Sequence, residues 1–330
     1  MTNTTLTQNS RDPGSITVSK SNELIHARYR LTVAEQRVLL LCLSKIPYNV
    51  SREQVSSQYF FVSSQEFASF CGVNISSAYK EMKSAEERLW QRDFYKPAEK
   101  AKFRWVTSVK YSRASIGLRF SEEVAPFLVE LSGSYTQYSL IAAMRLQTSF
   151  GHRLYEILIA TRFRKNFEAT IDLDSLRFGM DLIGQYPVYA ELRRRVIDPA
   201  IKDITNNSDI RIVNVIPRKQ DRKVVALTFQ YSENPGFNID ELARDVSRGM
   251  GLVDESVEAT AHRTNVVQMK QAKAKSTKVA AGQGRNSATR LSRDYVAQQA
   301  KPGESWEEAE QRLIRAQRNN GDDKTIEMSL

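Results

Sequence analysis

Cysteine and long apolar runs are scarce in this chain of 330 residues. The two cysteines, Cys42 and Cys71, lie within apolar helical patterns, which predicts buried reduced thiols rather than a disulfide framework or a metal site. No apolar run approaches the ~18 residues of a membrane span, and residues 1–15 lack the apolar core of a signal peptide. We therefore expect the protein to stay in the cytoplasm.

Motifs that would mark an enzyme acting on nucleic acids are also missing. There is no G-x-x-x-x-G-K-[ST] loop to hold nucleotide phosphates, which excludes the common ATP-driven motors. The three histidines, His26, His152 and His262, stand apart from one another, so a tyrosine nickase would lack its metal site. We expect no enzymatic activity, no metal and no cofactor, and we expect His152 to be a structural or surface residue.

The net charge is +10, and the excess of cations lies in one part of the chain. Residues 1–235 hold 33 lysines and arginines against 24 acidic residues, whereas residues 236–330 hold 15 against 14. A basic surface on the folded part attracts polyphosphate chains such as nucleic acids. It also improves solubility, so the positions of the cations must decide between these two interpretations.

The order of predicted elements describes a helix-turn-helix unit with a β-hairpin wing. Thr32 and Glu35 form a capping box before the first helix, and a turn at residues 72–74 separates the two later helices. The predicted elements are a helix at 33–46, a strand at 59–62, helices at 65–71 (capped by Ser64) and 76–92, strands at 103–111 and 116–120, and a helix at 122–131 capped by Ser121.

The same order recurs after Gly133. The second set comprises a helix at 148–163, a strand at 169–172, a helix at 174–180, a turn at 184–187, a helix at 188–206, and strands at 210–216 and 224–231. We therefore predict an α+β protein, mostly helical, with two tandem winged-helix domains at residues 16–134 and 135–235. Residues 1–15 and 236–330 are predicted to be largely flexible, because large apolar residues are sparse there.

One helix is predicted within the C-terminal tail. Ser305 and Glu308 form a capping box ahead of a helix that spans residues 305–318, and Trp306 lies on its apolar side. This segment is either a marginal helix in solvent or a docking helix for a partner protein.

The second helix of the first unit is the predicted reading helix for DNA. Ala68 and Gly72, four residues apart, allow two helices to cross closely, and Ala78 packs beneath them. In such units the second helix enters the major groove and its N-terminal residues reach the base edges. The polar face could equally be a solvated surface, but the basic wing favours DNA. The predicted contacts are Ser76, Ser77, Lys80 and Lys83 on the helix and Lys110 and Arg113 on the wing.

The corresponding helix of the second unit carries a denser charge. Three arginines follow one another there: Arg193, Arg194 and Arg195. Because successive residues of an α-helix turn by about 100°, Arg194 is predicted to face away from the buried stripe that contains Leu192 and Val196. Arg194 is then suited to read a guanine, and its two neighbours are suited to phosphates. Pairing of an arginine with Glu191 or Asp198 is the alternative.

The second wing and a proline complete the predictions for this unit. Four cations at the wing tip can lie along a DNA backbone, and solubility alone explains such a basic hairpin poorly. They are Arg218, Lys219, Arg222 and Lys223. Within the helix, Pro199 is predicted to cause an interruption that leaves Asp198 as the N-cap of a second segment.

Several short motifs resemble those of the iteron-binding replication initiators of theta-replicating plasmids. Each motif alone has little specificity, and the resemblance rests on their number and order across residues 18–231. The motifs are SNELI at 21–25, YRLT at 29–32, EQR at 35–37, RWV at 104–106 with Tyr111, LRFS at 118–121, RLYE at 153–156, YPVY at 186–189 and RRVIDPA at 194–200.

The resemblance implies a specific role. Members of that family bind repeated sites (iterons) in double-stranded DNA at a plasmid origin as monomers, help to melt an adjacent AT-rich segment, and recruit the host helicase and host initiator. As homodimers, joined largely through the first winged helix, many repress their own gene at an inverted repeat. On this chain, the resemblance implies that residues 193–195 and the second wing supply much of the iteron contact. The helix from Ser76 to Lys83 would contact the neighbouring groove.

Two other functions remain open at this point. A winged-helix transcriptional regulator without origin function would use the same two units, and its binding would be confined to a promoter palindrome. A nickase or recombinase is a more distant alternative. Directly repeated sites of about 20 base pairs beside an AT-rich tract would favour the initiator.

Overall fold

The computed structural model describes residues 12–47, 49–112, 114–131, 134–161, 167–252 and 311–312. The chain divides into two compact parts, residues 1–258 and 259–330, and all described residues except Gln311 and Arg312 belong to the larger part. Those two residues are helical. The rest of the helix predicted at 305–318, including Trp306, lies outside the described residues, as do residues 1–11 of the predicted flexible N-terminus.

Helices form most of the scaffold between residues 12 and 252. They are α1 (Asn22–His26), α2 (Val33–Ser44), α3 (Arg52–Ser57), α4 (Ser64–Cys71), α5 (Ile75–Leu89), α6 (Leu140–Arg145), α7 (Ser149–Thr161), α8 (Leu173–Gly179), α9 (Tyr189–Leu192), α10 (Asp198–Asn207) and α11 (Ile239–Gly249). A π-helical segment, Arg193–Ile197, joins α9 to α10. In the part of the chain that the structure describes, no helix is long and apolar enough to cross a membrane.

The strands form four small antiparallel sheets. They are β1 (Thr17–Ser21), β2 (Phe60–Ser63), β3 (Asp93–Lys96), β4 (Ala101–Arg104), β5 (Val106–Ser112), β6 (Ser115–Phe120), β7 (Tyr135–Ser139), β8 (Glu168–Asp172), β9 (Ile210–Gln220) and β10 (Lys223–Glu233). The sheet orders are β1-β7, β3-β4, β2-β6-β5 and β8-β10-β9. The last two sheets each end in a hairpin, which is the wing of a winged helix.

The first helix-turn-helix consists of α4, a tight turn and α5. Helix α4 ends at Gly72, whose positive φ of 66° places it in the left-handed region that glycine adopts without strain. Helix α5 then begins because the Asn74 carboxamide oxygen accepts a 2.8 Å hydrogen bond from the backbone N–H of Ser77. The turn between residues 72 and 74 is therefore where the sequence predicts it.

The N-terminal cap of α4 is Ser63 rather than Ser64, so this prediction is wrong by one residue. The Ser63 hydroxyl accepts a 3.1 Å hydrogen bond from the backbone N–H of Glu66. Ser64 is the first helical residue, and its hydroxyl instead donates a 2.7 Å bond to the carbonyl of Ala114 on the wing. A sequence pattern does not distinguish two neighbouring serines as helix caps. The pairing of β2 with β6, which places Ser63 opposite Ser115, determines that Ser63 is the cap.

A two-stranded sheet brings the middle of the chain back to its beginning. Strand β7 pairs antiparallel with β1, with Tyr138 opposite Val18. Residues immediately after position 134 therefore pack beside the N-terminal segment of the first winged helix. The division of the domains between residues 134 and 135 stays a prediction.

The prediction of a helix at residues 122–131 is wrong. Only a short 3₁₀ turn forms there, over Ala125–Phe127. Ser121 does not cap this turn: its hydroxyl accepts a 3.1 Å hydrogen bond from the backbone N–H of Val124, which precedes the turn and occupies the N-cap position itself. Pro126 lies inside the segment and has no N–H to continue an α-helical ladder, so the chain turns once and stops.

The second winged helix repeats the plan. Helices α7 and α8 precede the segment α9–α10, and the long hairpin of β9 and β10 follows it. Leu227 and Phe229 of β10 are fully buried on the face of the sheet that meets the helices. Two tandem winged helices in an α+β fold are therefore present, as predicted.

The predicted interruption at Pro199 takes the form of a π-helical turn. Pro199 cannot donate to the carbonyl four residues earlier, and its ring would clash with that carbonyl. The backbone widens instead, and the N–H of Asp198 bonds to the carbonyl of Arg193, five residues back. Asp198 has helical dihedral angles (φ −62°, ψ −42°), so the prediction that it caps a new helix is wrong.

Helix α11 continues the fold beyond Pro235-Gly236, where the sequence pattern predicts that order ends. Asn238 caps the helix, since its side-chain oxygen accepts a 3.1 Å bond from the N–H of Glu241. Ala243 and Val246 are buried against α4 and against the turn Pro13–Ser15. The apolar face of α11 is narrow, which explains why composition alone misses it.

Both cysteines are free thiols, and both are buried, as predicted. Burial raises the pKa of the Cys71 thiol to about 12, and it raises the pKa of Cys42 further. The thiolate is the reactive form of cysteine, so both side chains behave as small apolar groups of the core.

Candidate nucleic-acid interface

The predicted residues of α5 lie opposite its buried stripe. Ala78, Met82, Ala85 and Leu89 are fully buried. Ser76, Lys80 and Lys83 are exposed on the other side, whereas Ser77 is half-buried and its N–H is used by the helix cap. Helix α5 therefore presents two cations and a hydroxyl outward from its N-terminal half.

A buried carboxylate holds the other end of α5. Glu35, at the start of α2, has no exposed surface and binds Arg92 through two hydrogen bonds of 2.9 Å. Arg88, in the last turn of α5, approaches the same carboxylate at 3.4 Å. Glu35 also completes the capping box with Thr32. The sequence pattern predicts this capping role, but it does not predict the contacts of Glu35 with Arg88 and Arg92. Paired arginine–carboxylate contacts of this kind fix both position and orientation.

The first wing presents its two faces to different surroundings. Tyr111 points toward α5, where its ring meets that of Tyr79 at 5.7 Å between centroids. Lys110 points to the opposite face, with its ammonium 5.2 Å from the centroid of the Tyr59 ring. The structure therefore separates Lys110 from the cations of α5. Arg113, the other predicted contact of this wing, lies outside the described residues.

The three consecutive arginines of the second unit are all exposed. They occupy the π-helical segment, in which each residue turns through a smaller angle than in an α-helix because the hydrogen bonds span five residues. The 100° spacing that singled out Arg194 therefore does not apply within this segment. Leu192, Val196 and Ile197 are buried beneath the arginines.

Arg193 has an acidic neighbour, whereas the next two arginines project freely from the helix. The Arg193 guanidinium bonds to the Asp198 carboxylate at 3.2 Å, and this pairing raises the pKa of Arg193. Arg194 and Arg195 form no ion pair with any described residue. These two are the better placed to contact a ligand, since Arg193 would first have to leave Asp198.

The second wing is longer than predicted, and its tip is a two-residue turn. Strand β9 continues to Gln220, which pairs with Lys223 across Asp221 and Arg222. Side chains of the predicted tip therefore alternate between the faces of the hairpin. Lys219 shares a face with Pro217 and Leu227, the face that meets the helices. Arg218 lies on the other face and donates a 2.9 Å hydrogen bond to Thr228. All four wing cations are exposed.

The predicted contacts therefore fall into two groups, one in each winged helix. In the first unit, Ser76, Lys80 and Lys83 share one face of α5, and Lys110 stands apart. In the second, Arg194 and Arg195 lie on the helix, with the wing cations beyond. In the described residues, no group of three or more His, Cys, Asp or Glu side chains is placed to hold a metal ion.

Two helix-turn-helix units, each with a β-hairpin wing and exposed cations on its second helix, define a tandem winged-helix DNA-binding protein. The sequence matches a family model for "Initiator Replication protein, WH1" over residues 17–159 and one for "Initiator Rep protein, WH2" over residues 172–231. The two ranges cover more than half of the chain, and the chain belongs to this family of initiator replication proteins. The resemblance to plasmid replication initiators is thereby confirmed.

Two curated relatives and one solved structure are similar to this chain. A "Replication initiation protein" of Escherichia coli is 26% identical over 222 residues, which are 65% of this chain and 69% of the relative. An "Uncharacterized 27.6 kDa protein" of Escherichia coli is 26% identical over 210 residues, 59% of this chain and 87% of the relative. The Pi initiator protein, solved in complex with iteron DNA, shares the fold with a TM-score of 0.57 and 20% identity, over 67% of this chain and 99% of that one.

Proposed function

We propose that this protein initiates replication of a plasmid by binding directly repeated iterons in double-stranded DNA at the origin. The observation that carries the proposal is the pair of exposed reading helices, α5 and α10 with its π-helical start, within a chain of the initiator family. Binding is followed by melting of the adjacent AT-rich segment and by recruitment of the host helicase and host initiator. The chain itself performs no covalent chemistry in this scheme.

The second winged helix contributes the larger share of the affinity for DNA. Arg194 and Arg195 project from the N-terminal part of its reading helix, and the wing tip adds Lys219, Arg222 and Lys223. Arginine reads the O6 and N7 atoms of guanine through two hydrogen bonds, and lysine at a wing tip neutralises phosphates. The first winged helix contributes Ser76, Lys80 and Lys83 in the neighbouring groove, with fewer cations and a smaller share of the affinity.

Dimerisation and autorepression complete the proposal. A homodimer joined through the first winged helix binds an inverted repeat in the promoter of its own gene. Its support is the membership of the initiator family, since many members dimerise through the first winged helix. The monomer reads the direct repeats, so the balance between monomer and dimer sets how often replication starts.

Footprinting on the plasmid's own DNA tests the proposal. Protection of directly repeated sites of about 20 base pairs beside an AT-rich tract supports the initiator. Protection confined to a promoter palindrome would overturn it and favour a transcriptional regulator. Incubation with supercoiled origin DNA and Mg²⁺ should leave the DNA unnicked, and a nick would point to a strand-transfer enzyme instead.

A further inference from the structure

A single arginine at the centre of the fold touches both DNA-reading units. Arg153 lies in the middle of α7 and is 2% exposed. Helix α7 packs against α1 and α2 of the first winged helix and against α10, the reading helix of the second. Its sequence motif, RLYE, is part of the resemblance to the initiators, but DNA binding does not use it because the side chain is buried.

The guanidinium of Arg153 binds backbone carbonyls from both units at once. One terminal nitrogen, Nη2, donates to the carbonyl of Ile25 at 2.7 Å and to that of Ala27 at 3.1 Å. The same nitrogen and Nε donate to the carbonyl of Gly179 at 3.0 and 3.2 Å. Residues 25–27 end α1 in the first unit, whereas Gly179 ends α8, the first helix of the second helix-turn-helix.

A buried carboxylate holds this arginine in place. Glu156, one turn along α7, accepts a 2.8 Å bond from the other terminal nitrogen of Arg153 and a 2.6 Å bond from Lys20 on β1. Tyr138 on β7 and Tyr29 also donate to Glu156. Burial disfavours the charged carboxyl, but Lys20 and Arg153 outweigh burial and lower the pKa of Glu156 to about 2. The carboxylate is therefore ionised and its orientation is fixed.

A second contact between the units lies beside the first. The Arg28 guanidinium stacks 4.5 Å from the centroid of the Tyr95 ring on β3 and 5.8 Å from that of Phe178 on α8. Arg28 also faces Asp181 at 3.7 Å, just after α8. The C-terminal end of α8 is therefore held to the first unit on two sides, by Arg153 and by Arg28.

We infer that Arg153 is the positioning residue that fixes the separation and angle of the two reading helices, so that the monomer accepts the two DNA segments of its direct repeat at one spacing only. The inference rests on the proposed function, in which both units read the same duplex. Lysine cannot replace arginine here, because a single ammonium group lacks the planar fork that reaches three carbonyls and a carboxylate together.

Distance measurement in the free protein, at a concentration at which it is monomeric, tests the positioning role directly. Spin labels on Glu87→Cys in α5 and Lys202→Cys in α10 report the separation of the helices by double electron–electron resonance, since both sites are exposed and the native cysteines are buried. We expect one narrow distance distribution for the labelled parent and a broadened or shifted one for Arg153→Lys. The matched control is Arg52→Lys, at an exposed ion pair with Glu130, which should leave the distribution unchanged.

Binding to duplexes of altered spacing tests the consequence for DNA. One or two base pairs are inserted between the segments that the two units protect. We expect the parent to lose at least about tenfold in affinity on insertion, and Arg153→Lys to lose much less, although it binds the natural site more weakly. A merely structural defect would weaken binding to a half-site as well, whereas we expect half-site binding by Arg153→Lys to match the parent.

A second variant, Arg28→Ala, keeps the inference testable if Arg153→Lys does not fold. Arg28→Ala removes the flanking contact on the surface of the same junction, and we expect a smaller change of distances and of spacing dependence in the same direction. Distance distributions that superimpose on the parent for both variants would overturn the inference. If the parent binds no repeated site, the proposed function fails, and the distance measurement still decides the role of Arg153.

Discussion

The carboxylate of Asp203 accepts a 2.7 Å hydrogen bond from the backbone N–H of Thr148. The two residues belong to different elements, since Asp203 lies on the reading helix α10 and Thr148 immediately precedes α7. The N–H of Gln147 and the hydroxyl of Thr148 donate to the same carboxylate, at 3.0 and 2.7 Å. An acidic group at a helix N-terminus satisfies free N–H groups and complements the helix dipole. Thr148 itself caps α7, since its hydroxyl accepts a 3.0 Å bond from the N–H of Gly151. Asp203 holds the backbone just before the helix and so ties the second reading helix to the start of α7.

Asp203→Asn tests this tie. The amide keeps the shape but removes the charge and replaces one acceptor oxygen with a donor, which would face N–H groups in a site that is 5% exposed. We expect a loss of about 1–3 kcal/mol in the free energy of unfolding, measured by urea titration. Asp240→Asn, in the exposed first turn of α11, is the control and should change stability by about 0.5 kcal/mol or less. Equal effects of the two substitutions would show that the Asp203 bonds stabilise the fold no more than an exposed carboxylate does.

Arg194→Ala tests the reading of bases by the second unit. Because Arg194 is exposed and has no acidic partner among the described residues, we expect a cost of about 1–3 kcal/mol on the cognate site. Specificity should relax at one base pair, which titrations with singly substituted duplexes detect. Arg211→Ala, at an exposed position on β9, is the matched control. Unchanged affinity and unchanged specificity for Arg194→Ala would show that Arg194 does not contact the DNA.

Lys219→Ala tests contact with the DNA backbone. Lys219 is exposed on the face of the second wing that meets the helices. If its ammonium group neutralises a phosphate, we expect its loss to weaken binding to all duplexes alike, because phosphates are the same in every sequence. The slope of log affinity against log salt should fall in magnitude by about one. Lys110→Ala is the parallel test in the first wing, where the side chain lies away from α5. A slope change of about one would place Lys110 on a phosphate, and no change would exclude it from the interface.

Local signals in the sequence predicted the helix-turn-helix units well. The capping box of Thr32 and Glu35 forms as predicted, and Gly72 ends α4 in the left-handed conformation. The buried stripe of α5 follows its helical period. These features depend on residues within a few positions of one another, which is why a single sequence reveals them.

Features that depend on distant partners escaped prediction. The widening of the helix over Arg193–Ile197 follows from Pro199, but the choice of a π turn over a break depends on packing of Val196 and Ile197 into the core. Asp203 looks in sequence like one more polar residue of an amphipathic helix, and no local pattern pairs it with residues 55 positions earlier. Sequence period also predicted a single outward arginine, where the π turn exposes three.

His152 should make the stability of the fold sensitive to pH. It is buried in α7, and its Nε2 atom has no hydrogen-bond partner among the described residues. Burial, reinforced by the charge of Arg37, lowers the pKa of His152 from 6.5 to about 4. Above pH 6.5 the imidazole is neutral in both the folded and the unfolded chain. As the pH falls from 6.5 to 4, only the unfolded chain takes up the proton, so the folded state loses stability.

His152→Gln should remove this component, because the amide does not titrate. The pKa difference corresponds to roughly 3 kcal/mol over the full interval, with a slope of at most about 1.4 kcal/mol per pH unit. We therefore expect urea titrations of the parent to show a fall in stability between pH 7 and pH 4.5 that is flatter in His152→Gln, whatever its stability at pH 7. Glu156 titrates in the folded state near pH 2 and contributes below this interval, so the two groups separate. Parallel curves for the two proteins would mean that His152 is protonated in the fold as readily as in water.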